Sequence, residues 1–314
     1  MKKYWIGIFL FISILVSGFV FYGISKTANS DKLETTIEDI DFYKNVLASP
    51  PIPKMVSFCG EQVPINLYYV REGLEKELII HCYQHSRTVQ VFKRSTRFFP
   101  EIEKILQEEG VPEDLKYLCI AESGLENVVS PSQAEGFWQF IAATGKSYGL
   151  EINDQVDERY HIEKSTRAAC VYLKSLKEKF GSWSLAAAAY NMGENGLQKA
   201  INDQSVQNYW DLFLNSETSR YVNRIISYKL MFENPAKYGV NFKASDYYKP
   251  IPYKEITIDT TINSLADFAK SNNILYRELK ELNPWLRSKS LLIKGKQYTF
   301  RIPEKSKMDY EDLY

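Results

Sequence analysis

Between Pro112 and Gly124, four residues fall at the three-and-four spacing of one helical face: Leu115, Leu118, Cys119 and Glu122. Pro112 suits the first turn of a helix, where its missing N–H costs nothing. Ser123-Gly124 stop the helix just past Glu122. A carboxyl group therefore occupies a row otherwise made of core residues. Apolar surroundings disfavour its charged form and raise its pKa. It can then hold a proton at neutral pH, as a general acid must. The competing reading is a solvated carboxylate at a helix end. Either way the chain is expected to deliver Glu122 to the end of a short helix.

A polar loop from Glu126 to Gln133 leads into Gly136-Phe137-Trp138-Gln139-Phe140. Trp138 offers an aromatic plate for the apolar face of a sugar ring. Gln139 can donate to and accept from hydroxyl or acetamido groups. Further on, Ala186 to Ala189 allow close helix packing, and Tyr190-Asn191 emerge at the end of that run before Gly193 and Gly196. An Asn there can be a simple cap or a hydrogen-bonding group in a cleft.

These segments form an ordered series. Ala121-Glu122-Ser123, Gly136 to Phe140, Thr144, Ser147 to Leu150, Val156 to Arg159, Ala189-Tyr190-Asn191, Glu217-Thr218 and Tyr221-Val222 resemble the motifs of lytic murein transglycosylases. Within that family the pattern is similar to the membrane-bound D type, over roughly residues 55–240. Three positions depart from the pattern: Gln133 replaces a usual glycine, Ala142 a usual proline, and Met192-Gly193 the commoner Ala-Gly.

The resemblance implies a mainly α, lysozyme-like fold and a single catalytic carboxylate. Glu122 would protonate the bond between N-acetylmuramic acid and N-acetylglucosamine in peptidoglycan. It would then take the 6-hydroxyl proton as a 1,6-anhydro ring closes. Ser123 and Gln139 would position the sugar; Tyr190, Asn191 and Tyr221 would hold the acetamido group or stabilise charge. No cofactor and no metal is implied. Glycosidases more often use two carboxylates. The other candidates, Glu126 and Glu135, sit in the polar loop, where a carboxylate stays solvated. A lysozyme-like muramidase and an inactive wall-binding scaffold are the alternatives.

Beyond Asn234 the texture changes. A strand–helix–helix–strand order over 247–303, with Asn283-Pro284 and Arg301-Ile302-Pro303, resembles a diverged LysM domain, a small α+β peptidoglycan-binding module. Its usual Gly-Asp-Thr is replaced by Asp259-Thr260-Thr261. Residues 304–314 read as a disordered tail.

At the other end, Tyr4 to Ile24 carry no charge, a length that spans a bilayer. Lys2 and Lys3 favour a cytoplasmic N-terminus. Residues 1–24 are thus expected to be a membrane anchor or a cleaved signal, and 25–54 a linker. The remainder would lie on the periplasmic side of the inner membrane, or free in the periplasm if the segment is removed.

Formal net charge is zero without a dense basic run, which argues against nucleic acid as a partner. Protein partners leave no trace. His81 and His85 are four apart, as metal ligands on a helix would be, but no carboxylate completes a set. Cys119 and Cys170 fall within helical runs and read as buried thiols; the even count of four also permits pairing.

Overall fold

The segment Ile162–Phe180 places Ala168, Ala169, Tyr172, Leu173 and Leu176 on one buried stripe, and Gly181 ends it with φ +86. Glycine adopts that left-handed conformation without a Cβ penalty. In the computed structural model, which describes residues 48–314, helices of this kind enclose a single large apolar core. Residues 49–314 form one compact unit.

The helices around that core are α1 (Tyr68–Tyr83), α2 (His85–Glu108), α3 (Lys116–Ser123), α4 (Ala142–Ser147), α5 (Ile162–Phe180), α6 (Trp183–Met192), α7 (Glu194–Gln204) and α8 (Thr218–Glu233). Helix α8 packs against α1, α3 and α6, and α5 packs against α2 and α6. Short α3 is thus enclosed: every residue of it except Glu122 is buried. Burying a side chain such as Leu118 or Ile120 contributes about 2 kcal/mol, so tertiary packing, not helix propensity, holds these two turns.

Helix α6 owes its position to small residues and to one anion. Ala186 to Ala189 are fully buried, which lets α6 approach its neighbours closely. The Glu61 carboxylate caps its first turn, accepting from the Trp183 and Ser184 N–H groups, where a negative charge is favoured. Glu61 belongs to a small antiparallel pair, β1 (Ser57–Phe58) and β2 (Glu61–Gln62).

The C-terminal module pairs β3 (Tyr253–Ile258) antiparallel with β4 (Tyr298–Pro303), with α9 (Leu265–Ser271) and α10 (Tyr276–Leu282) between them. Its own core extends into the helical part, for Val156 and Tyr160 pack within it. The backbone joins there too: Asp157 N–H donates to Trp285 O at 2.9 Å and Arg287 N–H to Gln155 O at 2.8 Å.

Helix α2 runs through Pro100 to Glu108. Expectations change at the histidine pair and at the tail. His81 and His85 lie on successive helices; His81 is buried against Tyr228 and His85 is exposed. Gly136 to Phe140 form turns closed by a bridge between Glu135 and Phe140. The tail is ordered: Tyr310–Leu313 form helix α11, while Ser306 Oγ and Lys307 N–H donate to Glu278 at 2.7 and 2.6 Å. The anchor expected over 1–24 lies outside the described residues. Among those described, no helix is long and apolar enough to cross a membrane.

Candidate active site

Gly124, at φ +64, closes α3 with its N–H on Ile120 O, 2.8 Å away. Glu122 is therefore the penultimate helical residue, and its side chain enters a cavity of about 430 Å³. Gln139, Asn191, Tyr221 and Glu217 line the same cavity. Burial raises the Glu122 carboxyl to about 7; the Tyr221 hydroxyl and Arg224 pull it down, and Glu217 pushes it up. A carboxyl with that value is part protonated at neutral pH, as a general acid requires.

Tyr221 comes from the first turns of α8 and is fully buried. Its hydroxyl donates to Glu122 Oε1. Burial, with Glu122 beside it, holds the Tyr221 phenol well above its usual range, so it stays a donor.

Two amides converge with opposite capacities. Gln139 Nε2 is spent on Gly136 O at 2.7 Å and Val128 O at 3.0 Å, leaving Oε1 as an acceptor. Asn191 Oδ1 accepts from Thr218 Oγ1 at 2.8 Å, leaving the Nδ2 donors. Gln139 holds its place in a left-handed conformation, φ +49, the kind of local strain that surroundings must enforce.

Arg159 does much of that enforcing. Its guanidinium donates to Gln133 O at 3.1 Å and Phe140 O at 3.2 Å, bracketing the loop that carries Gln139. It pairs with Asp157 at 2.6 Å and Glu135 at 3.0 Å. Gly136 passes so near that a Cβ there would sit 2.1 Å from Arg159 O. Glu135, expected to be solvated, is thus bound into a buried ion-pair network. Glu126 pairs with Arg94.

Three predicted residues lie elsewhere than the sequence suggested. Trp138 is fully buried, its indole N–H donating to Thr166 Oγ1 at 2.9 Å, so it presents no face for a sugar. The Ser123 hydroxyl folds back, donating to Cys119 O and accepting from Leu125 N–H, both at 3.1 Å. Tyr190 is half-buried and donates to Trp138 O at 2.7 Å, which ties α6 to the backbone beside Gln139.

A charged wall of the cavity, absent from the residues predicted above, completes the site. Glu77, fully buried on α1, pairs with Arg220 at 2.5 Å and approaches Arg224 at 3.5 Å. Arg87 lines the cavity as well. A signal was present: Val70, Leu74, Glu77, Leu78 and His81 form the buried row of α1, a carboxylate among apolar residues as at Glu122. Among the described residues no group of side chains is arranged to hold a metal ion.

Residues 100–213 match the Transglycosylase SLT domain. Residues 254–306 match the Soluble lytic transglycosylase C-terminal LysM-like domain. The chain is 29% identical over 258 residues to the protein named Membrane-bound lytic murein transglycosylase D of Escherichia coli (strain K12), covering 79% of this chain and 55% of that one. The same-named protein of E. coli O6:H1 gives the same figures. The chain thus spans about half the length of the curated relatives it matches. It carries an SLT domain of lysozyme-like helical fold followed by a LysM-like domain.

Proposed function

We propose that this protein cleaves the β-1,4 bond between N-acetylmuramic acid and N-acetylglucosamine in peptidoglycan without consuming water, as a lytic transglycosylase. The catalytic unit would span 55–240 and the LysM-like module 247–303. The observation that carries this reading is the buried carboxyl of Glu122, raised to about 7, which accepts a hydrogen bond from the Tyr221 phenol inside a polar cavity.

Glu122, protonated, gives its proton to the glycosidic oxygen. The substrate's own 2-acetamido group attacks the anomeric carbon and relieves its positive charge. The resulting Glu122 carboxylate, steadied by Tyr221, then removes the proton from the 6-hydroxyl. That oxygen closes the 1,6-anhydro ring as the acetamido group leaves. One carboxyl serves both steps, acid first and base second.

An acetamido group carries one N–H donor and one carbonyl acceptor. Gln139 Oε1 offers the matching acceptor and Asn191 Nδ2 the matching donors. Tyr190 and Ser123 act behind them, on the backbone around Gln139 and at the end of α3. Trp138 supports the loop from within the core.

A hydrolytic muramidase is the second reading, favoured by one observation: Glu217 is exposed on the same cavity. It is the carboxylate such a mechanism would use to activate water. Mass spectrometry of digested sacculi separates the two. Transglycosylation yields muramic ends lighter by one water than hydrolysis does. The two E. coli relatives are named membrane-bound murein transglycosylases, which supports a location in the cell envelope. There it would act from the periplasmic face of the inner membrane if residues 1–24 are retained.

A further inference from the structure

A second cavity, of about 420 Å³, lies between the helical part and the C-terminal module. Arg94, Arg97 and Phe98 of α2 line it together with Tyr248, Trp285 and Arg301. Four arginines and two carboxylates border it in all. Three of the arginines are already engaged. Arg159 serves the ion-pair network described above, Arg301 holds Glu101 at 2.5 Å, and Arg94 holds Glu126.

Arg97 is different. Its Nε donates to Lys249 O at 2.9 Å and its guanidinium lies 5.4 Å from the Tyr248 ring centre. No carboxylate among the described residues pairs with it. Lys93 Nζ, 5.0 Å from the same ring, likewise pairs with no carboxylate among the described residues. An unneutralised guanidinium against an aromatic wall suits a ligand that carries a carboxylate on a partly apolar frame.

We propose that this cavity binds the stem peptide borne by a glycan strand, with Arg97 anchoring one of its carboxylates. The inference rests on the peptidoglycan reading only in naming which peptide is bound. The position fits that substrate. Arg94 donates to the carbonyl of Gly124 at 3.3 Å, and Leu125 lines this cavity while Glu122 lines the catalytic one. On the other side of the same turn, Arg87 Nη2 lies 3.9 Å from where a Cβ on Gly124 would be. The two cavities therefore flank one turn, and a peptide held at Arg97 sits beside the strand presented to Glu122.

Calorimetry on the full chain tests this without requiring turnover, using three probes: a free stem tetrapeptide, N-acetylmuramic acid and chitotetraose. The tetrapeptide is expected to bind, with affinity falling about tenfold in Arg97→Ala and less in Arg97→Lys, as for loss of one charge-assisted contact. Chitotetraose, which lacks a carboxylate, is expected to bind independently of Arg97. Equal tetrapeptide affinity in wild type and Arg97→Ala, or no tetrapeptide binding, overturns the proposal. So does an Arg97 dependence seen with N-acetylmuramic acid alone, since the lactyl carboxylate would then be the ligand. Any of these results leaves glycan cleavage at Glu122 to be judged separately.

Discussion

The hydroxyl of Tyr221 donates to the carboxyl of Glu122, joining the first turns of α8 to the last turn of α3 across 99 residues of sequence. The bond favours the charged form of a group that burial keeps near neutrality. Removing the donor in Tyr221→Phe should push the Glu122 carboxyl above about 7. The alkaline limb of the pH–rate profile should then move to higher pH, while kcat falls about 10²-fold through loss of a preorganised donor. Rates on purified sacculi between pH 5 and 9 check both; an unshifted limb would disconnect the two residues.

The same burial has a cost in stability. Unfolded, Glu122 loses its proton near its ordinary value of 4.5; folded, it keeps the proton to about 7. Between those values the unfolded chain binds fewer protons, so stability falls as pH rises through the window. Glu122→Gln cannot ionise and should escape that loss. It is expected to be more stable than wild type by about 3 kcal/mol at pH 8, the advantage vanishing below pH 4.5. Denaturant titrations at pH 4 and pH 8 read the difference directly.

Two neighbouring positions should respond in opposite directions. Gln133 is exposed and holds φ +60, a conformation that costs a non-glycine residue about 1 kcal/mol or more. Gln133→Gly should raise stability by about 0.5 kcal/mol once the added chain entropy is counted. Gly136→Ala would drive a Cβ into Arg159 O. It should cost at least about 2 kcal/mol and lower kcat by displacing Gln139. Thermal melts of the two variants, with activity, test the pair.

The buried network behind the loop gives a fourth test. Arg159→Lys keeps the charge but cannot reach Asp157, Glu135, Gln133 O and Phe140 O together. It should destabilise the protein by about 3 kcal/mol, as expected when a buried charge network is broken. Its kcat loss should exceed any rise in KM, because the loop carries no charge to the substrate itself. An intact melting temperature would show the network to be dispensable.

What could be read from the chain depended on how local each signal was. Helix α5 was legible end to end because a 3.6-residue apolar period and a terminal glycine both lie within it. The end of α3 was legible for the same reason, with Ser123-Gly124 adjacent to Glu122. Trp138 was not: an aromatic beside Gly and Gln reads alike whether it faces a cleft or Thr166, and Thr166 is 28 residues away. The apolar row of α1 marks Glu77 as a buried carboxylate, but its partner Arg220 lies 143 residues away and nothing local names it. Pro100 does not end α2, because its local rule is overridden by the packing of Phe99, Ile102 and Ile105 on one buried face.

In the proposed reaction Glu122 gives and retakes one proton. Its most direct measurement compares wild type with Glu122→Gln on purified sacculi, counting released muropeptides by mass while circular dichroism confirms the fold. The prediction is a fall of several orders of magnitude, with 1,6-anhydro ends seen only for wild type. Release by a folded Glu122→Gln protein at a rate near that of wild type would contradict it.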